Sequence, residues 1–381
     1  MKVLISVNSA WNLLNFRVGL IRALVADGHT VVLAAPSDEH VPALQGLGAS
    51  FIDLPMRVHG TNPMADLALI WRFIRLLRHE RPDVLLSYTP KPNVYGSLAA
   101  HALGIKVVNN ITGLGSVFIG GGWLSRLLQH FYTLALARSH QVFFQNPDDL
   151  TLFLKLKIVT QRQTAVLPGS GVDLNKFKVM PLPCLQGTVS SQSAKQLHFV
   201  FLLVARMLKD KGVEEYVQAA RAIKAKHPHT VCALLGFIDS NSPYAIDGKQ
   251  IQAWVDEGVV IYWGTSRDVK LQLAKADCVV LPSYREGTPR TLLEAAAMGR
   301  PLIATDVPGC REVVRDGVNG LLCLPKDAKD LEKKMSQMLS FSDSQLQQMS
   351  LESRQWVEDR FDEQLVINQY RKTLNEMIRT D

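Results

Sequence analysis

The sequence has few cysteines and no long apolar run. Its five cysteines lack the paired spacings of a zinc site or a disulfide framework, so neither is expected. No apolar run reaches about 18 residues, the length that a membrane-spanning helix needs. The start turns polar at Asn8, too early for a secretory signal peptide. The protein is therefore expected in the cytoplasm.

Acidic residues are scarce in one half of the chain. Residues 1–190 contain 17 Lys and Arg against 10 Asp and Glu, whereas residues 191–381 contain 25 of each kind. The formal charge of +7 thus belongs to the first half, which predicts a negatively charged partner there, such as an anionic membrane surface or a phosphate-bearing acceptor. Nucleic acid is not expected, because no repeat of aromatic and basic residues supports it.

The length of 381 residues suits two domains. Short apolar strands alternate with amphipathic helices over residues 1–180 and again over 197–362, which predicts parallel sheets covered by helices on both faces. Among the helices, the apolar spacing predicts four at 13–27, about 63–80, 213–226 and about 363–379. The segment 181–196, rich in Pro, Ser and Gln, is interpreted as a linker. The expected fold is α/β, with two Rossmann-like doubly wound domains facing across a cleft. No Gly-x-Gly-x-x-Gly motif follows the first strand, which argues against a dehydrogenase.

One stretch of the second half predicts a ligand site. A strand at Cys278–Pro282 leads through a tight loop into a helix, with Thr288 as the N-cap and Pro289 as the first helical residue. Gly299 ends that helix. Loops of this kind place free N–H groups and the positive end of the helix dipole where an anion binds.

Two glutamates mark this stretch, Glu286 in the loop and Glu294 within the helix. The helix is otherwise apolar, so we expect Glu294 to face a ligand or a polar partner, since burying it unpaired costs several kcal/mol. It lies about 9 Å along the helix from Thr288 at a rise of about 1.5 Å per residue. A nucleoside diphosphate-sugar could lie between them, with Glu286 at its sugar and Glu294 at its ribose diol.

Two basic residues of the second half, Arg206 and Lys211, predict a further contact with the ligand. Arg206 follows a strand and Lys211 opens the next helix, an arrangement that suits a diphosphate. Taken alone, both could also be solvated surface cations. The glutamate loop in the same sheet favours the ligand interpretation.

These segments together resemble the family 4 retaining glycosyltransferases. The likeness rests on Arg206…Lys211, PSYREG at 282–287, EAAAMGRP at 294–301 and Val307-Pro-Gly309, and it extends over nearly the whole chain. It implies the GT-B fold, a nucleotide-sugar donor as substrate, and neither a metal nor another cofactor. UDP and an N-acetylhexosamine are expected by family frequency. Residues 197–362 would bind the donor and 1–180 the acceptor, with 363–381 packing back on the first domain.

The same resemblance implies roles for individual residues. Arg206 and Lys211 would hold the donor diphosphate and Glu286 would contact the transferred sugar, so these three are the expected catalytic residues. Glu294 would bind the ribose. Further donor contacts are expected at Gly287, Thr288, Thr291 and Leu292 for the phosphate, and at Gly264 and Thr265 for the nucleobase.

Three segments of the first half are similar to bacterial capsule and O-antigen glycosyltransferases: Tyr88–Gly96, Asn109–Gly115 and Phe144–Asp149. Those enzymes often extend a sugar on undecaprenyl diphosphate, so a polyprenyl-diphosphate-linked saccharide is the expected acceptor. Many members have His at the position of Thr112. On the acceptor or donor-sugar side we expect Asn15, Arg17, Asn110 and Thr112.

Two segments could bring the enzyme to the inner face of the cytoplasmic membrane as a peripheral protein. The first combines Arg72, Arg75 and Arg78 with Trp71, Phe73, Leu76 and Leu77, and the second is 123–131, beside 120–122. The alternative for their apolar residues is packing against the sheet.

Three rival functions remain open from the sequence. A nucleotide-sugar epimerase with the same architecture would need no acceptor. A glycoside hydrolase also uses two carboxylates, but would not need Arg206 and Lys211. A module that only binds nucleotide-sugars would not hydrolyse its ligand.

Overall fold

The chain forms two α/β units. The computed structural model describes residues 1–57, 62–114, 122–186, 199–239, 242 and 244–379. One unit comprises Met1–Ser170 with Glu363–Asp381, and the other comprises Gly171–Asp362. The first unit thus ends before the predicted boundary at 180. Residues 187–196 of the predicted linker, Gly115 of the second capsule-like segment, and 120–121 lie outside the described residues.

The first unit is built on a sheet of seven parallel strands within the described residues. Its order is β3-β2-β1-β4-β5-β6-β7, so the direction of travel reverses between β1 and β4. Such a reversal is a topological switch point, beside which doubly wound sheets bind ligands. The strands are β1 Lys2–Ser6, β2 Thr30–Ala35, β3 Ser50–Asp53, β4 Val84–Tyr88, β5 Lys106–Ile111, β6 Gln141–Phe144 and β7 Thr164–Val166.

Helices connect these strands, as parallel pairing requires. The predicted helix over residues 13–27 is two helices, because Arg17 between them leaves the helical conformation with φ −131° and ψ 2°. The C-terminal helix, Glu363–Arg379, buries Ile367, Tyr370 and Leu374 in the core of this unit. The other helices are Ala10–Phe16, Val18–Ala26, Val41–Gln45, Pro63–Glu80, Ser97–Ala102, Gly122–Leu136 and Pro147–Lys155, with a π turn at Pro92–Gly96 and a 3₁₀ turn at Gln161–Gln163.

The second unit has a six-stranded parallel sheet within the described residues. Its order is β10-β9-β8-β11-β12-β13, so its switch point lies between β8 and β11. All four residues of β11 and of β12 are buried, as expected for a sheet covered on both faces. The strands are β8 Val200–Val204, β9 Val231–Leu235, β10 Ile261–Tyr262, β11 Cys278–Leu281, β12 Leu302–Thr305 and β13 Gly320–Cys323.

The described part of the predicted linker packs on the second unit. Leu182 is buried in that core, and the buried Arg300 donates to the carbonyls of Met180 and Pro181 at 2.6 and 3.0 Å. Residues 181–186 therefore do not form a free linker. The helices of this unit are Val213–Lys226, Gly248–Asp256, Val269–Leu273, Arg290–Ala297, Cys310–Val313, Ala328–Ser340 and Asp343–Arg360, with 3₁₀ turns at Pro183–Leu185 and Lys209–Lys211.

A membrane crossing needs a helix that is both long and strongly apolar. Among the described residues, no helix meets both conditions.

Candidate active site

An ion pair spans the switch point of the second sheet. Lys211 lies in the turn after β8, and Glu286 lies in the loop after β11. The Lys211 Nζ is 2.5 Å from the Glu286 Oε1, and the side chains are only 17% and 15% exposed. The carboxyl ends of these adjacent strands therefore place both predicted catalytic residues at the edge where such sheets bind ligands.

Backbone contacts hold the two loops together. The Tyr284 amide donates to the Asp210 carbonyl at 2.9 Å, and the Ser283 hydroxyl donates to the same carbonyl at 3.2 Å. Gly212, with φ +70°, lies so close to the β11 loop that an added Cβ would be 2.0 Å from the Pro282 carbonyl oxygen. Only glycine combines this conformation with this approach.

The loop after β12 supports Glu286 from the other side. The Glu286 amide donates to the Pro308 carbonyl at 3.2 Å. Gly309 has φ +83°, and a Cβ there would be 2.3 Å from the Gly287 carbonyl oxygen. The Val307-Pro-Gly motif thus packs against the loop that carries Glu286 and supports it.

The helix after this loop, Arg290–Ala297, is called the site helix below. Its N-cap is Pro289, with φ −72° and ψ 110°, so the prediction of Thr288 as N-cap and Pro289 as first helical residue is wrong by one position. The Leu292 amide donates to the Pro289 carbonyl at 3.0 Å, so a phosphate would compete for it. Gly299, with φ +73°, follows the C-cap as predicted.

Glu294 pairs with Arg290, one helical turn before it. The Arg290 Nε donates to the Glu294 Oε1 at 2.8 Å, and the side chains are 16% and 13% exposed. Burial raises the pKa of Glu294, whereas Arg290 and the charge of Lys176 act to lower it. The polar partner expected for Glu294 is therefore Arg290, which the motif-based prediction does not include, although a spacing of four residues on a helix was a usable signal.

Other predicted donor contacts lie along the same edge of the sheet. The Arg206 Nη1 lies 3.3 Å from the Asp239 Oδ2, beyond β9, and Arg206 is 42% exposed. Gly264, after β10, accepts a hydrogen bond from the Gly236 amide at 2.8 Å, and Thr265 is exposed. The described contacts bring Lys211 to Glu286, whereas Arg206 is directed toward the β9 side.

The first unit has its own polar cluster at its switch point. The guanidinium of the buried Arg17 lies 4.1 Å from the centre of the Tyr88 ring, at the end of β4. The Asn110 Nδ2 donates to the Tyr370 hydroxyl at 3.1 Å, and the rings of Tyr88 and Tyr370 are 6.2 Å apart. Burial raises the pKa of both tyrosines, so both stay neutral at pH 7. Thr89, with φ +63°, adds backbone strain at the same place.

The cluster joins only some of the residues predicted for this side. Arg17 and Asn110 belong to it, and Tyr88 and Tyr370 were not predicted. Asn15 is exposed, and its side-chain amide donates to the Trp11 carbonyl at 2.9 Å. Thr112 is half-buried just beyond β5.

Two family profiles match the chain. Residues 190–356 match the glycosyl transferases group 1, and residues 17–169 match the glycosyl transferase 4-like domain. The first range contains the Lys211–Glu286 pair and the site helix, and the second contains Arg17, Tyr88 and Asn110 of the polar cluster. The chain is a glycosyltransferase, with one of these two domains in each half.

This glycosyltransferase has relatives that match nearly its full length. The N,N'-diacetylbacillosaminyl-diphospho-undecaprenol alpha-1,3-N-acetylgalactosaminyltransferase of Campylobacter jejuni is 28% identical over 374 residues, 96% of each chain. The sucrose-phosphate synthase of Thermosynechococcus elongatus superposes with a TM-score of 0.80 at 18% identity over 100% of both chains. Alr3699/HepE of Anabaena, solved with UDP, superposes with a TM-score of 0.77 at 18% identity over 99% of this chain and 100% of its own.

These similarities confirm the predicted GT-B fold, with two Rossmann-like units. The two profiles and the full-length relative also confirm the predicted enzyme class: the chain is a hexosyltransferase-type glycosyltransferase with a nucleotide-sugar donor. The roles of the individual site residues stay predictions.

Proposed function

We propose that this enzyme transfers an N-acetylhexosamine from a UDP-sugar, with retention, to a saccharide on a polyprenyl diphosphate in cell-surface polysaccharide synthesis. The Campylobacter jejuni relative is named for such a donor sugar and such an acceptor, and the Anabaena structure holds UDP. In this chain, the Lys211–Glu286 pair at the switch point carries the proposal.

The donor diphosphate would lie at the amino end of the site helix. The first amides of a helix, here including that of Thr291, have no acceptor within the helix and bind anions well. When the donor binds, its diphosphate becomes the partner of the Lys211 ammonium, which releases Glu286 to accept hydrogen bonds from hydroxyls of the transferred sugar. The Glu294 carboxylate accepts hydrogen bonds from the two ribose hydroxyls.

The reaction breaks the bond between the anomeric carbon and the β-phosphate oxygen, and the electron pair stays on UDP. Lys211, Arg206 and the helix terminus stabilise this developing charge. The acceptor hydroxyl attacks from the same face and gives its proton to the departing phosphate oxygen, so the new glycosidic bond retains the configuration. In this scheme the protein's cations and amides supply the positive potential, and no metal ion is assigned a step.

A donor panel tests the proposal. UDP- and GDP-linked hexoses and N-acetylhexosamines are incubated with a polyprenyl-diphosphate N-acetylhexosamine, and nucleotide release is measured. We expect UDP release that depends on the acceptor. The product should keep the anomeric configuration of the donor, so a donor with an axial phosphate should give a product with an axial glycosidic oxygen and an equatorial anomeric proton. Epimerisation of the donor in the absence of acceptor would contradict transfer. Tight binding of the donor with neither turnover nor slow hydrolysis would contradict it as well.

We propose further that the first unit contacts an anionic membrane surface. On the helix Pro63–Glu80, Met64, Leu67 and Trp71 are 76%, 62% and 60% exposed and lie on one face at spacings of three and four residues. The same face continues through Arg75, whose guanidinium lies 5.7 Å from the Trp71 ring centre, to the exposed Arg78. Apolar residues followed by arginines suit the boundary between lipid tails and phosphates.

Not all of the apolar residues named for this segment are exposed. Phe73, Leu76 and Leu77 are buried in the unit's core, so only Trp71 of the four named apolar residues is available. The second segment contributes Trp123 and Leu127, exposed by 76% and 41% on one face of the helix Gly122–Leu136.

A further inference from the structure

The Arg290–Glu294 pair opposes the electrostatics of its own helix. Arg290 is the first residue of the site helix, where the positive end of the dipole disfavours a cation. Arg four residues before Glu is also the less favourable order for a helical ion pair. The pair therefore stabilises the helix poorly, and residues that break a local rule in this way are expected at functional positions.

Glu294 is nevertheless held firmly by its partner. The 2.8 Å bond engages the Oε1 through the guanidinium Nε, and neither side chain is more than 16% exposed. Charge-assisted bonds of this kind fix direction as well as position. A carboxylate that must accept two neighbouring hydroxyls needs a fixed plane, and one oxygen anchored by Arg290 provides it.

We propose that Arg290 is a positioning residue for donor recognition, which holds the Glu294 carboxylate in the orientation that accepts both ribose hydroxyls. This inference rests on the proposed ribose-binding role of Glu294. It assigns a purpose to a side chain that the family motif leaves undefined.

A dependence on pH follows. Burial raises the pKa of Glu294, and the charged groups that oppose this are Arg290 on its own helix and Lys176 in the segment between β7 and β8. Arg354, on the helix packed against the site helix, is engaged by the carbonyls of Phe177 and Ala297. Removing Arg290 therefore raises the pKa of Glu294 further, so a larger fraction of the carboxyl is protonated at low pH. The resulting loss of donor affinity should become smaller as the pH rises.

The test compares Arg290→Ala, Arg290→Lys and Glu294→Gln with the wild type between about pH 5.5 and 8.5. We measure kcat and KM for the donor, and inhibition by UDP and by 2′-deoxy-UDP. We expect Arg290→Ala to raise KM by about tenfold at pH 6, more than it lowers kcat, with a smaller effect at pH 8. Its preference for UDP over the deoxy compound should fall to that of Glu294→Gln, and Arg290→Lys should restore most of it.

The control is Arg221→Ala, which removes the exposed Arg221–Glu257 pair from the same unit and should leave both readouts unchanged. A KM within about twofold of the wild type for a folded Arg290→Ala, with its preference for UDP retained, overturns the inference. If Glu294→Gln keeps the wild-type KM for the donor and the wild-type preference for UDP over 2′-deoxy-UDP, the proposed ribose role of Glu294 is wrong. If Glu294→Gln loses both while Arg290→Ala keeps them, only the role assigned to Arg290 is refuted.

Discussion

Lys211 and Glu286 satisfy each other in a place where both are mostly removed from water. A largely buried ion pair stabilises a protein little, because its attraction is largely offset by desolvation. Its position at the switch point is therefore better explained by the ligand that separates the two charges. In the proposed mechanism, the pair would hold a cation for the phosphate and an acceptor for sugar hydroxyls in place before the donor binds.

Lys211→Ala should lower kcat by about a hundredfold or more, because a cation at the developing phosphate charge is worth about 3 kcal/mol or more. Donor hydrolysis and transfer are both measured, with the melting temperature as a check on folding. Lys209→Ala is the matched control, since Lys209 lies in the same 3₁₀ turn and is 53% exposed beside Glu214. Near-normal turnover by the folded Lys211→Ala protein would refute the assignment.

At the scale of elements, the site depends on loops that approach too closely for side chains. Gly212→Ala should destabilise the second unit by about 2–4 kcal/mol, because it combines a left-handed conformation with a Cβ only 2.0 Å from the Pro282 carbonyl oxygen. Gly258→Ala is a matched control, since Gly258 has φ +75° but nothing within 4 Å of an added Cβ, and should lose only about 1 kcal/mol.

Urea unfolding, followed together with donor turnover, checks this prediction. If the two alanine variants unfold at the same urea concentration, the close approach at Gly212 is not a constraint. If Gly212→Ala is the less stable variant and also loses turnover, the distance between the Lys211 turn and the β11 loop matters to the chemistry.

Much of the fold could be predicted where amphipathic periodicity is long and its ends are marked. The helices Pro63–Glu80, Val213–Lys226 and Glu363–Arg379 begin and end at the predicted residues. The break at Arg17 could not be predicted, since apolar spacing continues across it. The short helix Pro147–Lys155 was missed although its N-cap signal was present, with the Asn146 side chain accepting from the Asp149 amide.

The site was predictable in its residue types but not in its pairings. Motifs identified Lys211, Glu286 and Glu294, yet the meeting of Lys211 with Glu286 depends on β8 lying next to β11, which no local pattern determines. Tyr370 was missed for the same reason, because the C-terminal helix brings it to Asn110 from 260 residues away.

At the scale of the whole molecule, the excess positive charge of the first half should govern where the enzyme works. The chain carries +7 overall, all of it within residues 1–190. A polyprenyl acceptor stays in the membrane, so a soluble donor and a lipid acceptor meet only if the enzyme comes to the lipid surface. Basic residues near such a surface contribute about 1 kcal/mol each, and the attraction is screened within about 10 Å at 0.1 M salt.

Co-sedimentation with vesicles tests this directly. The wild type should bind vesicles containing about 30% anionic lipid, bind neutral vesicles weakly, and lose most but not all of its binding as salt rises toward 0.5 M. The double variant Arg75→Ala/Arg78→Ala should bind more weakly, by roughly tenfold or more, because it removes two contributions of about 1 kcal/mol each. Trp71→Ala should reduce the binding that persists at high salt.

The control Lys329→Ala/Lys333→Ala removes the same charge from exposed positions of the second unit. Equal losses in the two double variants would mean that total charge, not the face of Pro63–Glu80, determines binding. Wild-type binding by Arg75→Ala/Arg78→Ala would place the membrane contact elsewhere.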